Sequence, residues 1–327
     1  MQAPMREFAF IDALRARVPA HAGVVRGIGD DAAIVRFAPG EECVITTDTL
    51  VAGVHFPLDA AAADIGYKTA AVNLSDLAAM GATPRYCTLA LTMPSLDPGF
   101  VEPLLTGLLA LLKAHGVALV GGDTTRGPLA LTLTAVGSLP AGSAICRDGA
   151  QSGDAVYVSG TLGDAAAALA LRTDGRDSRS GERKLARTRL EQRLARPTPR
   201  VALGQALRGI AHACIDVSDG LAADLSHVCR ASGLAAVLDS EALPTSRALS
   251  TLFEDPRQRL ALQLGGDDYE LCFAIAPQDE ESLVAIAAET HTPLTRIGSF
   301  GPGEGVHLID ADGRLTAPPV GGYEHFS

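Results

Sequence analysis

The stretch Gly27-Ile28-Gly29-Asp30-Asp31-Ala32-Ala33 places two adjacent carboxylates between glycines and small apolar residues. Gly-x-Gly and Asp-Asp both favour loops, so a solvated turn would account for this stretch if it stood alone. Two neighbouring carboxylates also repel each other unless a cation lies between them. The stretch therefore predicts either a plain turn or one wall of a cation site, and the remaining sequence decides between the two.

Four further apolar runs along the chain end in aspartates set among Gly, Ser and Thr. They are Thr46-Thr47-Asp48, Asn73-Leu74-Ser75-Asp76, Gly121-Gly122-Asp123 and Asp216-Val217-Ser218-Asp219-Gly220. With Asp30 and Asp31, five separated segments thus offer seven carboxylates. Strand ends in α/β sheets are where ligand-facing residues tend to lie. This repetition favours one shared site over five unrelated turns.

The composition predicts a globular protein of two domains. A chain of 327 residues, 47% of them hydrophobic, can bury a large core. We place the boundary at Pro140-Ala141-Gly142, which gives domains at 1–140 and 141–327. Six cysteines without a CxxC pair predict buried reduced thiols rather than disulfides or a zinc site.

Charge and hydropathy exclude other classes of protein. The net charge of −11 argues against a nucleic-acid surface, because phosphate backbones are bound by clustered Lys and Arg. No apolar run reaches the roughly 18 uncharged residues of a membrane span, and the N-terminus does not resemble a signal peptide. We therefore expect a cytoplasmic protein that binds neither nucleic acid nor membrane.

Hydrophobic periodicity predicts alternating helices and strands. The predicted helices span 5–17, 60–80, 100–115, 164–172, 201–210 and 221–232, and the predicted strands span 88–93, 117–120, 129–136, 145–147, 154–158, 213–215, 271–275, 305–309 and 314–317. The Pro39-Gly40 turn between 34–37 and 43–47 predicts a β-hairpin. The polar segment 173–193 predicts a mobile surface excursion.

Several well-known catalytic motifs are missing from the sequence. It contains no G-x-x-x-x-G-K-[ST] loop, no H-E-x-x-H, no G-x-S-x-G and no kinase catalytic-loop pattern. Gly27-x-Gly29-x-x-Ala32 superficially matches a dinucleotide fingerprint. Asp30 and Asp31, however, fill the positions whose backbone should approach a pyrophosphate, and no suitable helix follows.

The donor set favours a hard cation. Carboxylates with few histidines suit Mg²⁺ far better than Zn²⁺. Several such ions imply a polyphosphate, and a nucleotide follows as a plausible ligand whose charge the metals and an arginine, Arg147 or Arg126, would neutralise.

Seven ordered motifs resemble the thiamine-monophosphate kinase family of the AIR-synthetase-like superfamily. They are GIGDDAA, TTDTLVAGVHF, KTAAVNLSDLAAMGA, GGDTTRGPL, DVSDGL, GGDDYEL and the terminal GGYEHF, and they cover nearly the whole chain. The resemblance implies an α/β (α+β) two-domain fold whose N-terminal sheet domains pair in a homodimer. It implies ATP- and Mg²⁺-dependent phosphorylation of thiamine monophosphate to thiamine diphosphate.

The resemblance also implies residue roles. The implied Mg²⁺ ligands are Asp31, Thr46, Thr47, Asp48, Asp76, Asp123, Asp216 and Asp219, with Asp30 close by. We expect Asp48, Asp123 and Asp219 to be the catalytic members. The implied ATP contacts are Gly122, Asp123, Arg147 and Ser218, and the implied thiamine phosphate contacts are His55, Asp267 and Tyr323. Asp267 departs from the motif, where Glu is expected.

Two alternatives stay open. Another superfamily member, such as an aminoimidazole ribonucleotide or selenophosphate synthetase, would share the ATP and Mg²⁺ carboxylates. The His55 loop and the GGYEHF ending argue against it, and 1–29 holds no Cys or Lys for selenium chemistry. A nucleotide-sensing protein could keep the metal site without turnover, although the presence of all seven carboxylates argues for an enzyme.

Overall fold

The computed structural model describes residues 7–173, 181–310, 312–318 and 322–323. The chain forms two compact units. The first contains the described part of Met1–Leu77 together with Ala82–Gly142. The second contains Ala78–Gly81 and the described part of Ser143–Ser327. The change of unit after Gly142 lies two residues beyond the predicted boundary, but the short segment Ala78–Gly81 belongs to the second unit.

The first unit is built on a four-stranded sheet. Its helices are α1 (Glu7–Arg17), α2 (Ala62–Ala79) and α3 (Pro98–Ala114), and its strands are β1 (Val24–Arg26), β2 (Ile34–Val35), β3 (Glu41–Val51), β4 (Thr83–Met93), β5 (Ala118–Arg126) and β6 (Ala130–Pro140). The sheet order is β3-β6-β4-β5, in which β4 and β5 are parallel and the other pairs antiparallel. Strands β1 and β2 form a separate pair.

The two faces of this sheet differ because side chains alternate along each strand. On the helix face, Leu89, Leu91, Leu131 and Leu133 are buried. The opposite face, which we call the open face, carries Ile45, Thr47, Thr49, Thr132 and Thr134. Ile45 is 66% exposed there.

The predicted hairpin between 34–37 and 43–47 is wrong. Strand β2 pairs with β1, whereas β3 pairs with β6 along its whole length, from Glu41 opposite Pro140 to Val51 opposite Ala130. Eleven paired residues outweigh the short turn at Pro39-Gly40, whose chemistry misled the prediction. The strand predicted at 117–120 also continues as β5 through the glycines to Arg126.

The second unit is built on a seven-stranded sheet in the order β13-β12-β9-β11-β7-β10-β8. Its strands are β7 (Ala155–Ser159), β8 (Ala211–Asp216), β9 (Ala235–Asp239), β10 (Leu271–Ile275), β11 (Leu294–Gly301), β12 (Gly305–Ile309) and β13 (Leu315–Thr316). Its helices are α4 (Asp164–Thr173), α5 (Gly181–Ala195), α6 (Val201–Leu207), α7 (Leu221–Ser232), α8 (Arg247–Leu252), α9 (Pro256–Gln263) and α10 (Ser282–Glu289). Only the β9–β12 pair is parallel among the described strands of this sheet.

Two apolar clusters stabilise the second unit. One joins the inner strands to α7 through residues such as Val158, Ile215 and Leu225. The other joins α4, α5 and α8 through Leu171, Leu190 and Leu249. Each buried Leu or Ile of this kind stabilises the fold by about 1.5–3 kcal/mol relative to exposure.

The predicted excursion at 173–193 is wrong for the part that the structure describes. Residues 181–195 form α5, whose Ala186, Leu190 and Leu194 recur every four residues and are buried. Residues 174–180 lie outside the described chain. The strand predicted at 145–147 is not formed.

All six cysteines are unpaired thiols, as predicted. Four are buried, whereas Cys43 and Cys146 are exposed, against the prediction. None of the helices described is both long and apolar enough to cross a bilayer.

Candidate active site

In the first unit, strand β3 and helix α2 hold one group of predicted ligands. Thr46 Oγ1 donates a hydrogen bond to Asp76 Oδ2 at 2.5 Å. The backbone N–H of Asp48 donates to Asn73 Oδ1 at 3.2 Å, and Asn73 Nδ2 donates to the carbonyl of Thr69 at 3.1 Å. Asn73 is fully buried. Asn73 therefore fixes the backbone of Asp48 against α2.

The stretch 27–33 forms a turn between β1 and β2, in which Asp30 and Asp31 are exposed. Asp30 Oδ1 accepts the backbone N–H of Asp31 at 3.0 Å, and Asp30 Oδ2 lies 3.3 Å from Arg26 Nε. The cation beside the carboxylate pair in this chain is thus an arginine. An exposed ion pair contributes only about 0–1 kcal/mol to stability. A metal ion can therefore displace Arg26 from the carboxylate of Asp30.

The glycine-rich strand β5 holds Asp123 on the open face. Asp123 Oδ2 accepts a hydrogen bond from Thr125 Oγ1 at 2.8 Å. Gly122 has φ +153°, and a Cβ there would lie 1.9 Å from the carbonyl oxygen of Leu89. Glycine is therefore required at this position by the neighbouring strand, whether or not a ligand approaches it.

Asp48 and Asp123 lie on strands at opposite edges of the sheet. One cross-strand row runs from Asp48 through Leu133 and Leu89 to Gly122. Because adjacent strands are about 4.8 Å apart, three spacings put the backbone of Asp48 roughly 14 Å from that of Gly122. Asp123 follows Gly122 and points to the open face, whereas Asp48 points to the helix face. One metal ion cannot be bound by both carboxylates of a single chain.

The side chain of Thr47 lies on the open face of the sheet, as does that of Asp123. Its neighbours Thr46 and Asp48 lie on the helix face. Thr47 Oγ1 lies 2.9 Å from Thr134 Oγ1 on β6. Within the described residues, no three His, Cys, Asp or Glu side chains are grouped so as to hold a metal ion. Within the first unit, the predicted ligands therefore lie on both faces of the sheet.

His55 is held in the loop after β3. Its Nδ1 accepts the backbone N–H of Val51 at 2.9 Å, so the neutral ring carries its proton on Nε2. The buried Lys68 donates to the carbonyl of His55 at 3.2 Å. Both contacts fix the orientation of the imidazole relative to β3.

In the second unit, β8 ends at the buried Asp216, and the loop before α7 carries Ser218 and Asp219. Asp224, one turn into α7, accepts backbone N–H bonds from Ser218, Asp219 and Gly220 at 2.9–3.0 Å. Burial, with a smaller contribution from the charge of Asp219, raises the pKa of Asp224 to about 7. Neither Ser218 nor Asp219 caps the helix with its side chain, since the N-cap is Gly220. Asp224 was missed because an Asp inside an apolar helix pattern carries no separate signal.

A second loop, 264–270, lies directly against the first. The N–H of Asp267 donates to the carbonyl of Ser218 at 2.7 Å, and the N–H of Tyr269 donates to the carbonyl of Val217 at 2.8 Å. A Cβ on Gly266 would lie 2.3 Å from the carbonyl oxygen of Ser218. This close approach brings the predicted thiamine residue Asp267 to the predicted nucleotide residue Ser218.

A groove of about 590 Å³ follows one side of α7. It starts at Asp219 and runs past Ser226 and His227 to Arg230, with Tyr323 on its wall. The N–H of Tyr323 donates to the carbonyl of Asp219 at 3.2 Å. Of the terminal GGYEHF motif, only Gly322 and Tyr323 lie within the described residues.

Arg147 is not placed beside Ser218. Its carbonyl accepts a hydrogen bond from Ser232 Oγ at 3.1 Å. Ser232 is the last residue of α7, whereas Ser218 and Asp219 precede the first. A 12-residue helix is about 18 Å long, so the backbone of Arg147 lies at the far end of α7.

The matches to known families follow this division of the chain. A model of the N-terminal domain of AIR synthase related proteins matches residues 29–139, and a model of the C-terminal domain matches residues 151–311. The two mixed α/β units and their paired loops thus define the class: the chain belongs to the AIR synthase related family.

Comparison with individual relatives shows to which group within this family the chain belongs. The thiamine-monophosphate kinase of Salmonella typhimurium is 46% identical over 305 residues, which cover 93% of both chains. The crystal structure of the thiamine-monophosphate kinase from Stenotrophomonas maltophilia K279a matches with a TM-score of 0.87 and 48% sequence identity. The match covers 96% of this chain and 99% of that one. A structure described as AaThiL complexed with AMPPCP and TMP is 30% identical with a TM-score of 0.77, covering 99% and 100%. Within its class, the chain is a member of the thiamine-monophosphate kinases and thus an enzyme.

Proposed function

We propose that the protein transfers the γ-phosphoryl group of ATP to thiamine monophosphate, giving thiamine diphosphate, with Mg²⁺ bound at the site. The observation that carries this proposal is the hydrogen bond of 3.2 Å from the N–H of Tyr323 to the carbonyl of Asp219. It joins the aromatic residue predicted for the thiamine ring to a carboxylate residue predicted for the metal and nucleotide. The name of the related complex, with AMPPCP and TMP, supports the same pair of ligands.

The donor chemistry of the chain fits Mg²⁺. Asp30, Asp31, Asp123 and Asp219 are exposed carboxylates, and Thr46 and Asp76 add oxygens on the helix face. Mg²⁺ prefers such oxygen ligands. The proposed Mg²⁺ ligands are Asp31, Thr46, Thr47, Asp48, Asp76, Asp123, Asp216 and Asp219. When bound, Mg²⁺ supplies the positive charge that lets two anionic phosphates approach each other.

No general base is required in this reaction. A phosphate monoester has a second pKa of about 6 and is largely dianionic at neutral pH, so the acceptor oxygen needs no deprotonation. The residues of the chain therefore have to orient the acceptor in line with the γ-phosphate and exclude water. The rigidly held loop 216–220 and the loop 264–270 are suited to that task.

The groove along α7 suits thiamine monophosphate. We propose that its phosphate end lies at Asp219, near the helix N-terminus, where anions are favoured. The cationic thiazolium then lies against the ring of Tyr323, an interaction of about 0.5–2 kcal/mol, with the carboxylate of Asp267 nearby. Ser226 and His227, further along the groove, offer hydrogen bonds to the aminopyrimidine ring.

We further propose that two copies pair through their first units and that each site uses Asp48 from one copy and Asp123 from the other. The roughly 14 Å between their strands leaves a site with both carboxylates incomplete in one chain. Setting β3 of one copy beside β5 of another would bring these two strands about 4.8 Å apart, so that the two carboxylates would lie at one seam, on opposite faces of the sheet, where different metal ions of one site would bind them. It would also cover the open face with its exposed Ile45 and remove two free sheet edges, which otherwise invite aggregation.

The direct test is an assay of the purified protein with ATP, Mg²⁺ and thiamine monophosphate, with thiamine diphosphate followed by chromatography. We expect product that depends on all three components. Asp48→Asn and Asp123→Asn should each lower turnover by about 100-fold or more, since each removes a charge at the transferring phosphate. No product above the no-enzyme control would refute the proposal. The cytoplasmic location predicted from the sequence stays a prediction.

A further inference from the structure

Glu270 is completely buried and is bound by two arginines and a serine. Arg200 contacts both carboxylate oxygens, with its Nε and Nη2 each at 2.6 Å. Arg193 Nη2 lies 2.8 Å from Oε1, and Ser159 Oγ donates to Oε2 at 2.5 Å. The two arginine side chains are only 10% and 15% exposed. We call these four residues the Glu270 cluster.

The loop held by this cluster has an unfavourable backbone. Asp267 has φ +72° and Tyr269 has φ +52°, the left-handed region that non-glycine residues rarely adopt. Such conformations persist only where surrounding contacts determine them, and they concentrate at functional sites. Glu270 follows Tyr269 directly, so the cluster fixes the chain at the end of the strained pair.

Arg193 also contacts the middle of the loop. Its Nη2 lies 3.3 Å from the carbonyl of Asp268 as well as bonding Glu270. The buried Asp268 side chain accepts the N–H of Gly163 at 2.7 Å, and burial raises its pKa well above the usual range. The loop is thus anchored from α5 and from the residue that precedes α4.

The neighbouring loop 216–220 has an anchor of its own. Its three N–H groups at Ser218, Asp219 and Gly220 bind Asp224, which is not part of the Glu270 cluster. Loosening the Glu270 cluster should therefore disturb Asp267 more than the residues predicted for the nucleotide.

We infer that Arg193 and Arg200 are positioning residues that set the affinity for the thiamine substrate by holding Asp267 in its strained conformation through Glu270. The inference rests on the proposed function for the identity of that substrate. Neither arginine is a catalytic residue, because each acts through Glu270. Buried, bidentate arginine–carboxylate pairs fix geometry in a way that lysine cannot reproduce.

Arg200→Lys tests the inference, since it keeps the charge and removes the two-point contact. We expect the KM for thiamine monophosphate to rise about tenfold, while kcat and the KM for ATP change less than about twofold. Arg247→Lys is the control, because Arg247 forms a well-exposed pair with Glu182 at 2.7 Å, outside the Glu270 cluster, and should behave as wild type. Ser159→Ala is a milder second variant in case Arg200→Lys folds poorly.

Amide hydrogen exchange gives a readout independent of activity. Arg200→Lys should speed exchange in 264–271 and leave the N–H groups of Ser218, Asp219 and Gly220, which Asp224 binds, at the wild-type rate. Unchanged protection of 264–271, or equal rises in both KM values, would overturn the positioning role. Wild-type protein that fails to phosphorylate thiamine monophosphate would instead refute the proposed function, and the exchange experiment would still decide the role of the cluster.

Discussion

Mixing two inactive variants should restore activity if the site is shared between copies. Asp48→Asn and Asp123→Asn each remove one carboxylate from every site of a homodimer. In a mixed dimer, however, one site receives both altered residues and the other receives none. The reasoning follows from the opposite sheet edges on which β3 and β5 lie.

The expected recovery can be worked out from the symmetry. If equal amounts of the variants exchange subunits freely, half of the dimers are mixed and each has one intact site of two, so activity should reach about 25% of wild type in the whole mixture and about 50% in the isolated mixed dimer. A site built within one chain would leave one altered residue in every site of the mixed dimer. That arrangement predicts no recovery above the two variants measured separately.

The assay needs an exchange step and a control pair. The variants are co-refolded or co-expressed with different affinity tags, and the doubly tagged dimer is isolated and assayed for thiamine diphosphate. Asp48→Asn mixed with Thr46→Ala is the control, because both residues lie on β3 and should not complement each other. Activity of the Asp48→Asn and Asp123→Asn mixture that stays at the level of either variant would refute the shared site.

Three further predictions follow from single residues. Tyr323→Ala should raise the KM for thiamine monophosphate about fivefold with little change in kcat, because one cation–π contact of about 1 kcal/mol is lost. Asn73→Ala should lower the free energy of unfolding by about 1–3 kcal/mol, because the N–H of Asp48 loses its buried acceptor. The pKa of Asp224 is raised from 3.8 to about 7 in the folded state, so its contribution to stability is present at low pH and is lost as the pH rises through 7. Between pH 5 and 8, metal-free wild type should therefore lose about 3 kcal/mol more stability than Asp224→Asn.

Each of these predictions has a result that contradicts it. An unchanged KM for Tyr323→Ala, with Tyr323→Phe as the conservative comparison, would remove the ring from the substrate site. Urea unfolding of Asn73→Ala at the wild-type midpoint would show that water replaces the lost acceptor. Parallel stability curves of wild type and Asp224→Asn would mean that Asp224 titrates normally, and Asp97→Asn, at the exposed N-cap of α3, serves as the control.

Local patterns in the sequence predicted most elements but not their pairing. The alanine-rich pattern at 60–80 and the apolar run at 100–115 became α2 and α3, because helix periodicity is a local property. The pairing of β3 with β6 is decided by residues about 90 positions away. A plausible turn at Pro39-Gly40 could not reveal it.

The sequence predicted which residues belong to the site, but not how they are arranged in space. Asp48 and Asp123 were both identified from strand ends, but sequence could not show that β6 and β4 separate them. Arg193 was hidden in a charged segment that indicated mobility. The spacing of Ala186, Leu190 and Leu194 was the available signal for a packed helix there.

The transfer of labelled phosphate tests the central claim most directly. ATP labelled at the γ-phosphate is incubated with the enzyme, Mg²⁺ and thiamine monophosphate, and ATP labelled at the α-phosphate is used in a parallel reaction. We predict that the γ-label appears in thiamine diphosphate in equal amount to the ADP formed, and that the α-label stays in ADP. Release of the γ-label as inorganic phosphate, without labelled thiamine diphosphate, would contradict the account.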